Sequence, residues 1–188
     1  MKHLKTIRSF DLFCNLSEQE LSEALALLDS LSGNYGTEIA KQQEALDKHA
    51  DADNDSLSHI YLNLSLAYWR ADNQEMARKI AQLGVSECDE ALSEFSTYRP
   101  VFLTRKAMML ALLGSFEESD ACLSEARSIP LCSHCPYCAC KDADLFETYI
   151  LSLKGLHADS LSACAKYLEK WPDETDLHVQ KRYAEKRV

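Results

Sequence analysis

The chain has 188 residues, 46% of them hydrophobic, with only 5 Gly and 4 Pro and a formal net charge of -10. So few backbone breakers exclude collagen-like, low-complexity and many-turned β-sandwich architectures, and favour long uninterrupted helices in an all-α domain spanning 1-188. The excess of 30 acidic over 20 basic residues disfavours nucleic-acid partners and favours basic protein ones.

The first sixteen residues carry no signal-peptide pattern, because Arg8 and Asp11 interrupt any apolar stretch. The longest apolar run, Ala107 to Leu113, falls far short of the roughly 20 residues that a membrane helix needs. A cytoplasmic protein without a membrane partner is therefore expected. Ser17 and Glu20 form a capping box ahead of a stripe through Leu21, Ala24, Leu25, Leu28 and Leu31. A turn at 32-36 leads to a more polar helix over 37-50, with Ile39, Ala40, Gln43 and Leu46 inward. Residues 51-55 (DADND) read as a loop and helix start.

From there the helices come in pairs. Residues 59-71 precede an Asp72-Asn73 turn and a long helix over 74-96, whose stripe includes Ala77, Ile80, Ala81, Gly84, Val85 and Cys88. Pro100 sits where a helix start tolerates it, and that helix runs to Leu113. Gly114 turns the chain into a helix over 116-128, which Pro130 ends. After a cysteine-rich segment, helices over 142-154 and 157-170 flank Gly155, and a short charged helix closes the chain over 174-187.

Three of these pairs align. Tyr61-x2-Leu64-Ser65-x2-Tyr68 leads to Ala77-x3-Ala81, Leu103-x2-Lys106-Ala107-x2-Leu110 to Ser119-x3-Leu123, and Thr148-x2-Leu151 to Ser160-x3-Cys164. Small residues recur where two helices approach closely, and larger apolar ones fill the space beside them. At these positions the chain resembles the tetratricopeptide repeat family, whose signature is W-x2-L-G-x2-Y…A-x3-F…P. The resemblance covers about residues 56-172, and 17-50 forms a candidate degenerate pair. Asp144 and Glu147 depart from the pattern, as does a spacing longer than the family's period of about 34 residues.

The resemblance implies a short solenoid of antiparallel helix pairs whose first helices line a concave groove for a protein or peptide, with no enzymatic activity. By helical phase the residues beside the core stripe include Asn63, Leu66, Trp69, Arg70, Arg105, Met108 and Tyr149, the candidate partner contacts.

Residues 131-141 contain Cys132, Cys135, Cys138 and Cys140 in a C-x2-C-x2-C-x-C array, with His134 inside it. Soft thiolates at C-x2-C spacing suit tetrahedral zinc, so a structural zinc loop is the first reading. His134 is an alternative ligand, and an iron–sulfur cluster or unmetallated thiols are the other readings. Cys135-Pro136-Tyr137-Cys138 matches the glutaredoxin active-site tetrapeptide, but no strand pattern surrounds it. Cys88, Cys122 and Cys164 read as small core residues. No phosphate-binding glycine loop and no H-E-x-x-H motif occurs. The sequence thus predicts a binding protein. Its two alternatives are an acidic immunity protein that neutralises a basic toxin and a redox or metal sensor centred on the cysteine loop.

Overall fold

The computed structural model describes residues 29, 33-49, 53-94, 98-130 and 138-188, with backbone only at 138-140. Apart from Asp29, the helix expected over 17-31 lies outside these residues, as does most of the cysteine loop. Eight helices are described: α1 (Gly36–Lys48), α2 (Asn54–Arg70), α3 (Gln74–Glu94), α4 (Arg99–Leu113), α5 (Phe116–Ser128), α6 (Cys138–Leu153), α7 (His157–Lys170) and α8 (Thr175–Glu185). There is no strand among the described residues, and none of these helices is long and apolar enough to cross a membrane.

Local sequence explains most boundaries. Asp53 caps α2 by accepting a 2.9 Å hydrogen bond from the Ser56 backbone N–H, so the helix starts earlier than the apolar stripe alone suggests. Pro100 stands in the first turn of α4, where its missing N–H costs nothing. The start of α6 lies at Cys138, one turn before the expected Asp142, so the two aspartates of that segment sit inside the helix.

The three aligned pairs share a structural register. Asp72, Gly114 and Gly155 each stand seven residues after the aligned small residues Ser65, Ala107 and Thr148, and each adopts positive φ, at 57°, 88° and 78°. The following N–H then closes the same turn in each pair: Asn73 donates to Tyr68 O, Ser115 to Leu110 O and Leu156 to Leu151 O, at 2.9, 3.0 and 2.9 Å. Twelve residues after the small residues come Ala77, Ser119 and Ser160, all at most 1% exposed. In two pairs the contact is a hydrogen bond, with Ser119 Oγ donating to Ala107 O and Ser160 Oγ to Thr148 O, both at 2.7 Å. In the first pair Ala77 faces the same position with no hydroxyl. A buried small residue therefore stands at the same place in the second helix of all three pairs, and in two of them it hydrogen-bonds across to the first.

Each pair packs on the next, which makes the architecture all-α and repeat-like. Helices α2, α4 and α6 touch one another as an inner layer, while α3, α5 and α7 stand outside them. The core fills the space between the layers, with Leu64, Met108, Met109 and Tyr149 fully buried. Gly84 permits a close approach, because a Cβ there would overlap Met109 Sδ and come within 2.9 Å of Tyr61 Cβ.

The array does not stay open. Helix α8 packs on α7 and α6, and its side chains reach back to α2. The Tyr183 and Trp69 rings lie 4.5 Å apart, and Arg187 donates to Asp72 at 3.0 Å. Gln180, fully buried on α8, donates to Ser152 Oγ at 2.8 Å and to Thr148 O at 3.3 Å. The inner face is thus largely covered by the chain's own last helix.

Candidate functional site

At the centre of the inner layer lies Arg70, the last residue of α2 and only 4% exposed. Its Nη1 donates to both Glu38 oxygens at 3.0 and 3.3 Å, its Nη2 donates to Tyr149 Oη, and Asp176 stands 3.5 Å away. The guanidinium also lies 5.1 Å from the Tyr149 ring centre. Burial works against this charge, but Tyr149, Glu38 and Asp176 outweigh it and raise the Arg70 pKa further. Burial likewise raises the Tyr149 phenol. The cluster joins α1, α2, α6 and α8. It is a structural tie, and the Arg70 Nε–H within it has no acceptor among the described residues.

Beside the tie is a recess of about 90 Å³, lined by residues of α1, α2, α4, α6 and α8. Helix α6 contributes Asp142, Leu145, Phe146 and Tyr149, the i, i+3, i+4, i+7 stripe of one helix face. His59, Leu62, Asn63 and Leu66 come from α2 and Arg105 from α4. Arg105 is half-buried and fixed by its own chain. Its Nη1 donates to Asp55 Oδ1 at 2.7 Å, to Asp55 O at 2.9 Å and to Ser58 Oγ at 2.9 Å. The His59 ring and the Asn63 amide are joined by a 3.0 Å hydrogen bond. Burial and the nearby Arg105 charge lower the His59 pKa, which keeps the ring neutral at physiological pH.

Asp142 differs from its neighbours. It is half-buried and has no hydrogen bond or ion pair among the described residues, while the adjacent Lys141 is committed to Glu174 at 2.6 Å. Burial pushes its carboxyl up to about 6, against the opposing pull of Lys141 and Arg105.

The predicted partner contacts divide. Asn63 and Arg105 line the recess with solvent access. Leu66, Trp69, Arg70, Met108 and Tyr149 are 5%, 3%, 4%, 0% and 0% exposed, so in this structure they are buried and not on an open surface. Leu66, Arg70 and Tyr149 form the recess walls, whereas Trp69 and Met108 belong to the core. The physical reason is closure: Trp69 packs edge-on to Tyr149 at 5.9 Å and against Tyr183 from α8. Sequence reasoning missed His59, Asp142 and Asp176 as site residues. Asp142 carried a signal, since it shares a helical face with Tyr149, but its charge reads equally well as helix-start acidity.

A second, open depression lies over α5, α6 and α7, lined by Arg127, Asp144, Glu147 and Lys170 among others. Four of its charges are paired: Arg127 with Glu147 at 2.5 Å and Lys170 with Asp144 at 2.9 Å, and Tyr167 Oη donates to Glu147 at 2.7 Å.

Of the cysteine array, Cys132, Cys135 and His134 lie outside the described residues, and Cys138 and Cys140 are placed by backbone alone in the first turn of α6. Among the described residues no group of three His, Cys, Asp or Glu side chains converges on a metal position. Cys88 and Cys164 are buried free thiols and Cys122 is half-buried.

No family model, curated protein or solved structure matches this chain.

Proposed function

We propose that the chain is a non-enzymatic binding module of the tetratricopeptide-repeat type, which holds a protein or peptide segment at the mouth of the α2–α4–α6 recess. The observation that carries this reading is the recess itself. The inner layer is packed against its own chain on either side, while here His59, Asn63, Arg105 and Asp142 converge on open space. The side chains around that space come from five helices, four of them joined by the Arg70 tie and α4 held to α2 through Arg105, so the site is preorganised and needs little ordering to bind.

The cysteine array belongs to the same proposal. Cys132, Cys135, Cys138 and Cys140 hold a structural zinc ion, with His134 able to replace one thiolate. The segment leads straight into α6, and Asp142 lies one turn beyond Cys138. A metal cross-link there fixes the start of the helix that supplies one wall of the recess.

A photo-crosslinking amino acid placed at position 63 in the native cell tests the binding reading. Cross-links to a defined partner are expected from position 63 and not from position 83, where Leu83 is exposed on α3. Equal cross-linking from both positions, or none from either, refutes the reading. Elemental analysis tests the metal separately: about one zinc per chain is expected, lost in Cys138→Ser, and zinc-free protein with unchanged stability in that variant refutes the zinc loop.

A further inference from the structure

The recess is too small for most small-molecule ligands. Its volume of about 90 Å³ corresponds to roughly three waters' share of liquid, whereas cofactor and drug sites run to about 300–1,000 Å³. One unbranched side chain fits it.

Charge selects which kind. Both cations in the lining are already matched within the chain, Arg70 by Glu38 and Asp176 and Arg105 by Asp55. Lys141, beside the mouth, is paired with Glu174. What remains is the Asp142 carboxylate, which is half-buried without a partner among the described residues. An anionic occupant meets this charge directly, and an apolar one deepens its desolvation with nothing in return. A cationic head gives it a charge-assisted hydrogen bond. On the same face of α6, Leu145 and Phe146 offer buried apolar surface one turn further on, and Leu62 and Leu66 stand across from them on α2. Apolar walls beside a single carboxylate suit a methylene stem that ends in a positive charge.

We propose that the recess receives one lysine or arginine side chain projecting from a partner protein, with its head on the Asp142 carboxylate and its stem between Leu62, Leu66, Leu145 and Phe146. This rests on the reading of the recess as a binding site, and the test separates the two. The acidic balance of the whole chain, at a formal net charge of -10, draws such a partner from a distance, and Asp142 reads one of its residues at contact.

The full chain, immobilised, is challenged with a phage-displayed library of random dodecapeptides. The expected result is enrichment of sequences that share one fixed Lys or Arg. Replacing that residue by Gln in the synthetic peptide lowers affinity about tenfold or more. Asp142→Asn produces a similar loss, and the two changes together cost little more than either alone. Because Asn is nearly isosteric with Asp, the variant retains the fold, which thermal melting verifies. Leu145→Met, which keeps the charge and reshapes the wall, is a second probe and weakens the same peptides. Enrichment without a fixed basic residue, or peptides that bind Asp142→Asn undiminished, overturns this inference and leaves the binding reading intact. No enrichment over a blocked surface overturns both.

Discussion

Replacing Arg70 by methionine keeps the apolar volume of the side chain and removes its charge, so the effect isolates what the guanidinium does. Two costs follow. Glu38, whose side chain is 20% exposed, loses its guanidinium, and the fully buried Tyr149 hydroxyl loses its donor. Breaking a buried ion pair from one side costs about 3–5 kcal/mol, and stranding a buried hydroxyl is about 1–3 kcal/mol of similar origin. Opposing them, the variant relieves the desolvation of the guanidinium and removes the unpaired Nε–H. Asp176 adds little, being 55% exposed at 3.5 Å. Because Glu38 keeps some access to water, the net loss falls at the low end, about 3 kcal/mol. For a chain of this size that lowers Tm by roughly 6–12 °C and the urea midpoint by about 1 M at unchanged slope. Adding Tyr149→Phe to Arg70→Met removes the stranded hydroxyl and recovers about 1 kcal/mol, whereas Tyr149→Phe alone is destabilising. Equilibrium urea unfolding of the four proteins completes the cycle. A loss below about 1 kcal/mol for Arg70→Met, or two single changes that simply add, refutes the view of Arg70 as a tie between helices.

Three further outcomes follow from the packing. Gly84→Ala gains about 1 kcal/mol of helix propensity but forces Met109 and the Cβ of Tyr61 apart, at about 1–3 kcal/mol, so thermal melting should show net destabilisation. Ser160→Ala takes the acceptor from the buried Ser152 hydroxyl, while Gln180 keeps Ser152 Oγ and Thr148 O, and should cost about 1–2 kcal/mol by urea titration; Ser119→Ala, whose hydroxyl donates to the Ala107 carbonyl, should cost under about 1 kcal/mol. Burial pushes the Cys88 thiol up to about 12 and raises Cys164 as well, so alkylation mapped by mass spectrometry should modify both only as fast as the protein unfolds, with half-buried Cys122 reacting sooner.

The repeat register was legible because it rests on local chemistry. Small residues at Ser65, Ala107 and Thr148 mark close helix approach, and the residues seven places on must turn the chain at positive φ, which Gly114 and Gly155 accept without cost and Asp72 tolerates. Gly84, on the same grounds, was readable as a contact point. The inner face was not legible in this way. Helical phase places Trp69 and Met108 beside the core stripe, where an open array leaves them facing a partner. Whether that face is open depends on α8, and no feature of α2 announces that Tyr183, more than a hundred residues later, will lie on Trp69. Arg70 misleads for a related reason. A cation at a helix end normally signals surface, and its burial becomes affordable only through Glu38, Tyr149 and Asp176, which come from three other helices.

Closure by α8 also limits what the proposed binding site can accept. An open concave array presents one long groove and spreads its affinity over many side chains. Here α8 fills much of that space with Leu177, Val179, Gln180 and Tyr183, all buried. Displacing the helix would break the buried Gln180–Ser152 hydrogen bond and expose the Trp69 and Tyr183 rings, so a partner that needs the whole groove must supply that energy first. A partner that uses only the recess meets no such cost. Its affinity then depends on few contacts, and the carboxylate of Asp142 carries a large share of it, because the remaining charges at the mouth are already spoken for within the chain. The proposed selectivity for one basic side chain rests on that buried wall and on the Asp142 carboxylate, which has no partner among the described residues.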